Sequence, residues 1–219
     1  MDRREIGAFE MLWHPVPHEY DRLTGRFQMP AVKAVRDIAP EKMMAFDEFA
    51  RKRPPNCAAH CFKGDHILER LWCRPGYYGE KLKSASFVTM PDFSASPLMP
   101  LFPLGYNLFR AKRMAQLWTD MGIAVVPTPI WASPDTYDIC FDGMPKGSLL
   151  AISTVGTIRD PLARAMFPHG LRETLSRLEP SGILLYGPAP RIGFSINIPV
   201  WHFDRKTYGF SVGYQEELF

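Results

Sequence analysis

Six short apolar runs recur along the chain. They are Met43-Met44-Ala45-Phe46, Asn56-Cys57-Ala58-Ala59-His60-Cys61-Phe62, Ser86-Phe87-Val88-Thr89-Met90, Ile123-Ala124-Val125-Val126, Leu149-Leu150-Ala151-Ile152-Ser153 and Ile183-Leu184-Leu185-Tyr186. None alternates in polarity, which suits strands buried on both faces, as in parallel sheets. Helical spacing lies between them. Leu104, Leu108, Ala111, Ala115, Trp118 and Met121 recur every three or four residues, and Gly122 sits where a C-terminal cap belongs. Asp65 predicts a cap for a short helix with Ile67, Leu68, Leu71 and Trp72 on one side, and Asp160-Pro161 predicts another helix start. Pro168-His169-Gly170 predicts a break in that helix, which resumes with Leu171, Leu175 and Leu178.

Strands alternating with helices predict an α/β fold of repeated strand–helix units with a mostly parallel sheet. The sheet is either an incomplete (β/α) barrel, like part of a TIM barrel, or an open doubly wound sheet. No Gly-x-Gly-x-x-Gly follows any strand, which counts against a dinucleotide-binding fold. The aromatic, partly alternating stretch from Phe194 to Tyr214 predicts one or two antiparallel additions. One domain is expected over residues 1–219, with an irregular lead-in at 1–30 and an aromatic C-terminal extension at 190–219.

Composition narrows the function classes. A hydrophobic fraction of 46% and a charged fraction of 22% are ordinary for a globular chain. A net charge of +3 is a poor sign of a nucleic-acid reader, which shows a concentrated basic stripe. The densest basic group, Arg110, Lys112 and Arg113, is expected on the solvent face of the long helix. The start, Met1-Asp2-Arg3-Arg4-Glu5, is charged, and no apolar run approaches the roughly 20 residues of a spanning helix. No membrane partner is expected, and the four cysteines read as free thiols in the cytoplasm. Cys57-x-x-x-Cys61 with His60 invites zinc, but on a strand the cysteines face one side and His60 the other, so no metal site is expected. The sequence names no cofactor.

Sites in such folds form at the carboxyl ends of the strands. That rule selects Asp92 and Ser94 after the third run, Thr128 and Trp131 after the fourth, Ser153 and Thr154 at the end of the fifth, and Tyr186 at the end of the sixth. Asp92, between Pro91 and Phe93, is the sharpest catalytic candidate, as a general base or a nucleophile with a raised pKa; otherwise it caps the following turn. Asp142, in Phe141-Asp142-Gly143, is expected to point at the same rim and share acid and base roles with it; otherwise it belongs to a structured loop that also holds Lys146. The hydroxyls of Ser153 and Thr154 either hold an anion or satisfy the turn backbone. Trp131 and Tyr186 are expected as walls.

In their order, Pro91-Asp92-Phe93-Ser94, Met99-Pro100, the Trp118 helix, Val126-Pro127-Thr128 with Trp131, Phe141-Asp142-Gly143, Pro145-Lys146-Gly147-Ser148, Ser153-Thr154-Val155-Gly156 and Tyr186-Gly187 resemble a family of phages, plasmids and other mobile elements. It is catalogued as domain of unknown function 4417. The resemblance runs from about Met29 to Pro188 and implies a mobile-element origin and action in the host cytoplasm. Phe62-Lys63-Gly64-Asp65 departs from the more acidic segment expected of relatives, so the resemblance assigns that segment no role. The expected function is an enzyme acting on a nucleotide or nucleobase, most concretely a transglycosylase-like base modification with Asp92 as nucleophile. The alternative is a non-catalytic host-takeover or anti-defence protein that uses the same rim for a small molecule or for a host or phage protein. A nucleic-acid partner is the weaker third reading at this net charge.

Overall fold

A computed structural model describes residues 22–36, 38, 42–157, 160–203 and 210–213. The six apolar runs all form strands: β3 (Met43–Ala45), β4 (Ala58–His60), β5 (Val88–Thr89), β6 (Val125–Val126), β7 (Leu149–Ser153) and β8 (Gly182–Tyr186). A hairpin of β1 (Leu23–Thr24) and β2 (Met29–Pro30) precedes them, and β9 (Val200–Phe203) and β10 (Phe210–Gly213) follow. The helices are α1 (Phe46–Lys52), α2 (Asp65–Cys73), α3 (Pro75–Leu82), α4 (Leu101–Asp120), α5 (Tyr137–Phe141) and α6 (Pro161–Leu178).

Beyond the two-stranded β1–β2 hairpin, the strands form two sheets rather than one. β3, β4, β5 and β6 lie side by side, all parallel. β7, β8 and β9 are parallel to one another, and β10 closes the order antiparallel to β9. Of the expected C-terminal additions, therefore, only β10 is antiparallel. The sheets meet where Ala151 N donates to Pro127 O at 2.9 Å. Pro127 and Pro129 follow β6 directly and have no amide to donate, so the ladder cannot continue along β7.

Alternate residues explain why the strands read as continuously apolar. Met43, Ala58, Phe87, Val126, Leu149, Ala151, Leu184 and Phe203 from seven strands or their flanks pack into one inner cluster. The intervening residues Ala59, Val88, Val125 and Leu150 face the helices in a second cluster, while Ile152, Ile183 and Leu185 pack on α6 in a third. The sheets thus curl around a shared inner face without closing, so the TIM-barrel likeness is corrected to an unclosed curl.

Three local expectations change. Helix α6 runs unbroken through Pro168. The proline forfeits one ladder bond, but Phe167, Leu171, Thr174 and Leu178 keep a buried face in register across it. Gly170 is needed for packing, since a Cβ there would lie 2.1 Å from the indole Nε1 of Trp131. The basic group on α4 is buried rather than solvated. Arg110 lies over the Phe93 ring at 3.6 Å and pairs with Glu69, and Lys112 Nζ donates to the carbonyls of Cys140 (3.1 Å) and Asp142 (2.6 Å). Cys57 and Cys61 sit in the helix-side cluster, whereas His60 packs at a tilt against Tyr186 of the inner cluster, so these three side chains diverge. Residues 1–21 of the lead-in lie outside the described residues. Among the described residues no helix is long and apolar enough to cross a membrane.

Candidate functional site

A cleft of about 600 Å³ opens at the carboxyl ends of β4, β5, β6 and β7. Phe62, Lys63 and Gly64 follow β4 into it; residues 92–98 follow β5, and 128–132 follow β6. Ser153, Val155, Gly156 and Thr157 enter from β7, and Asp160, Leu162, Met166 and Phe167 from the start of α6. Its walls are thus largely apolar. The only charged side chains on them are Lys63, Asp92 and Asp160 among the described residues. Lys63 Nζ pairs with Asp47 at 3.3 Å, and Asp160 accepts from Ala163 N at 2.8 Å as the cap of α6. Asp92 alone has neither ion pair nor hydrogen bond among the described residues.

Asp92 is placed by its neighbours in sequence. Phe93 is fully buried beneath the Arg110 guanidinium, Asn107 Nδ2 donates to Ser94 O at 2.7 Å, and Asp65 Oδ1 accepts from both Ser94 N and Ser94 Oγ at 3.0 Å. Only the cleft side of Asp92 is left partly exposed. Burial pushes its carboxyl up to about 7, with the Asp65 charge adding to the effect. A carboxyl in this state is available both as an acid and as a base near neutral pH.

The expected hydroxyls serve backbone. Thr128 Oγ1 donates to Met90 O at 3.1 Å, Ser153 Oγ accepts from Val155 N at 3.1 Å, and Thr154 Oγ1 donates to Pro188 O at 2.7 Å. Thr154 is buried behind the cleft, while Ser94, Thr128, Trp131 and Ser153 line it. Tyr186 stands one layer behind. Its ring lies 5.4 Å from Phe62, which faces the cleft, and 4.2 Å from His60. His60 Nδ1 accepts from Phe62 N at 3.2 Å, and burial, reinforced by Lys63, pushes the imidazole down to about 3, so it stays neutral.

Asp142 and Lys146 are not part of this cleft, and the expected Asp92–Asp142 pair is corrected. Both precede β7, at the amino end of the sheet, whereas the cleft is at the carboxyl end. Asp142 Oδ2 accepts from Phe27 N at 2.7 Å, its carboxylate fills the space beside Gly25, and its carbonyl accepts from Lys112. Lys146 is exposed and pairs with Glu179 at 2.9 Å. The carboxylate that does stand beside Asp92 is Asp65. Sequence reading assigns it to helix capping. In the structure the N-cap of α2 is Gly64, and the Asp65 side chain serves Ser94 instead. Among the described residues no group of three or more His, Cys, Asp or Glu is arranged to hold a metal ion.

A family model described as a domain of unknown function, DUF4417, matches residues 21–204. The "Gene 1 protein" of Mycobacterium phage L5 is 32% identical over 188 residues, covering 80% of this chain and 81% of the phage protein. The "Gene 1 protein" of Mycobacterium phage D29 is 30% identical over 220 residues, covering 94% of this chain and 81% of its own length. No solved structure gives a significant match.

Proposed function

The chain belongs to the DUF4417 family, a phage-associated domain of unknown function, and we propose that it is an enzyme in which Asp92 gives a proton to an uncharged heterocycle, a nucleobase or the base of a nucleoside. The observation that carries this reading is the Asp92 carboxyl, free of any donor among the described residues, on the wall of a largely apolar cleft. A neutral carboxyl donates through its O–H and accepts through its carbonyl, which matches the paired donor and acceptor edge of a base. Transfer of the Asp92 proton to a ring nitrogen breaks the carboxyl O–H bond, forms the ring N–H bond and leaves Asp92 as the carboxylate, which in a nucleoside weakens the bond from base to sugar. The raised carboxyl supports general-acid work, and the nucleophilic role expected from the sequence is the alternative for the same group once it is ionised.

Substrate charge follows from the same walls. Among the described residues, Lys63 is engaged by Asp47 and the α6 start is capped by Asp160, so these groups offer a polyphosphate little positive potential. Nucleobases and nucleosides fit it better than nucleoside triphosphates. Action in the host cytoplasm is part of the proposal, in keeping with the free thiols of Cys57, Cys61, Cys73 and Cys140.

The test is a thermal-shift and turnover screen with free bases, nucleosides and mononucleotides on wild type and D92N. At least one base or nucleoside should stabilise the wild type and be turned over by it; D92N, whose amide keeps a donor and an acceptor but has no proton to give, should bind it and lose turnover. Equal behaviour of the two proteins on every compound would refute the proposal.

A second reading, a grip on a host or phage protein, is favoured by the mouth of the cleft. Leu98 is 83% exposed and Phe102 87% exposed, and Leu162 on the opposite lip is also exposed. Such apolar side chains in the open are unusual when they cluster. F102D should abolish a protein complex while leaving small-molecule binding intact if this reading holds.

A further inference from the structure

Taking the cleft as the site, we propose that Asp65 is its positioning residue: it ties the segment bearing Asp92 to the start of α2 and keeps a second negative charge beside that carboxyl. The tie is a pair of 3.0 Å hydrogen bonds, in which Ser94 donates both its backbone N–H and its hydroxyl to Asp65 Oδ1. A carboxylate accepting two such bonds is a stronger anchor than a neutral oxygen. Asp65 can act as that anchor because α2 is itself fixed, with Leu68 and Leu71 fully buried. The segment after β5 is then held from three sides, by Asp65, by Asn107 on Ser94 O, and by Arg110 over Phe93.

Other groups near Asp92 do not cancel the Asp65 charge. From the end of β4 come Cys61, its thiol raised by burial, and Lys63, whose ammonium is shared with Asp47. From α4 comes Arg110, whose guanidinium lies over Phe93 and pairs with Glu69. Across the cleft Asp160 caps α6. Burial remains the larger influence on Asp92 and Asp65 the second.

The experiment is a carbon-13 NMR titration of the Asp92 carboxyl in the full chain, with hydrogen exchange at the Ser94 amide read in parallel. Wild type should titrate near 7. D65N keeps an acceptor oxygen for Ser94 but removes the charge, so the Asp92 midpoint should fall by about one pH unit with the Ser94 amide still protected. D65E restores the charge and should restore the midpoint. S94A cuts one arm of the tie; its amide should exchange several-fold faster while the midpoint moves little. If D65N fails to fold, D65S has the same expectation, since a serine hydroxyl also accepts from Ser94 without charge. An unmoved midpoint in the neutral variant overturns the proposal. No ligand enters this titration, so a failed ligand screen leaves Asp65 standing, and an unmoved midpoint leaves the cleft reading standing with burial alone acting on Asp92.

Discussion

Asp92 follows the carboxyl end of β5 and Asp142 precedes the amino end of β7, and the two loop aspartates are used in opposite ways. Asp142 is enclosed by partners: the Phe27 amide on its carboxylate, Gly25 against its side chain, and Lys112 on its carbonyl. Asp92 has no donor among the described residues and faces a cavity. The first arrangement fastens the β1–β2 hairpin to the segment before β7. The second leaves a carboxyl with unspent hydrogen-bonding capacity where a ligand could use it. An aspartate in a loop is thus diagnosed by what it lacks as much as by where it lies.

The largest effect should come from dismantling the amino end. D142A leaves the Phe27 amide without its acceptor and empties the space beside Gly25, and should cost about 2–3 kcal/mol in urea denaturation while sparing ligand binding. Loss of binding with unchanged stability would reverse the comparison.

A smaller effect of opposite kind is expected at the carboxyl end. The folded pKa of Asp92, about 7, lies above the ordinary carboxyl value of 3.8 that the unfolded chain shows, so the folded state holds the extra proton between these values. Its contribution to stability is complete below the lower value and is lost as pH rises through the upper one. Allowing for its partial exposure, the wild type should lose about 1–3 kcal/mol between pH 4 and pH 8 from this group. D92N should remove that slope and be more stable than wild type at pH 8. Chemical denaturation at both pH values reads this, and an unchanged slope in D92N would place the effect elsewhere.

T154V should cost about 1 kcal/mol, the value of one ordinary hydrogen bond, by leaving Pro188 O without its hydroxyl donor. The smallest change should be K146A, within about 0.5 kcal/mol in thermal denaturation, because its pair with Glu179 is exposed on both sides. A large loss from K146A would mean that the exposed pair is coupled to something more than solvent.

Much of the strand order was legible because buried parallel strands have no polar face to confuse the pattern; Leu149 to Ser153 and Ile183 to Tyr186 are examples. Helix α1 was hidden because Phe46 reads as the end of an apolar run although it begins the helix. Helix α3 was hidden by Pro75, Gly76 and Gly79, which look like loop residues; Gly79 is explained by the Met121 side chain, which lies 2.6 Å from where its Cβ would be. Of the residues that the strand-end rule selects, Asp92, Ser94, Thr128, Trp131 and Ser153 line the cleft. It misplaced Asp142, since the rule needs to know which end of β7 a loop belongs to, and Asp142 precedes that strand. Asp65 was seen but given the commonest role of its residue type, helix capping. Its partner Ser94 lies 29 residues away, beyond any local pattern.

The most direct test of the Asp92 cleft is the pH dependence of affinity for a base or nucleoside that stabilises the protein, compared across wild type, D92N and D142N. Affinity in the wild type and in D142N should be highest below neutrality and fall with a midpoint near 7, while D92N, a neutral stand-in for the protonated carboxyl, binds with no such midpoint. A midpoint that survives in D92N, or a loss shared equally by D142N, would contradict the assignment of the site to Asp92.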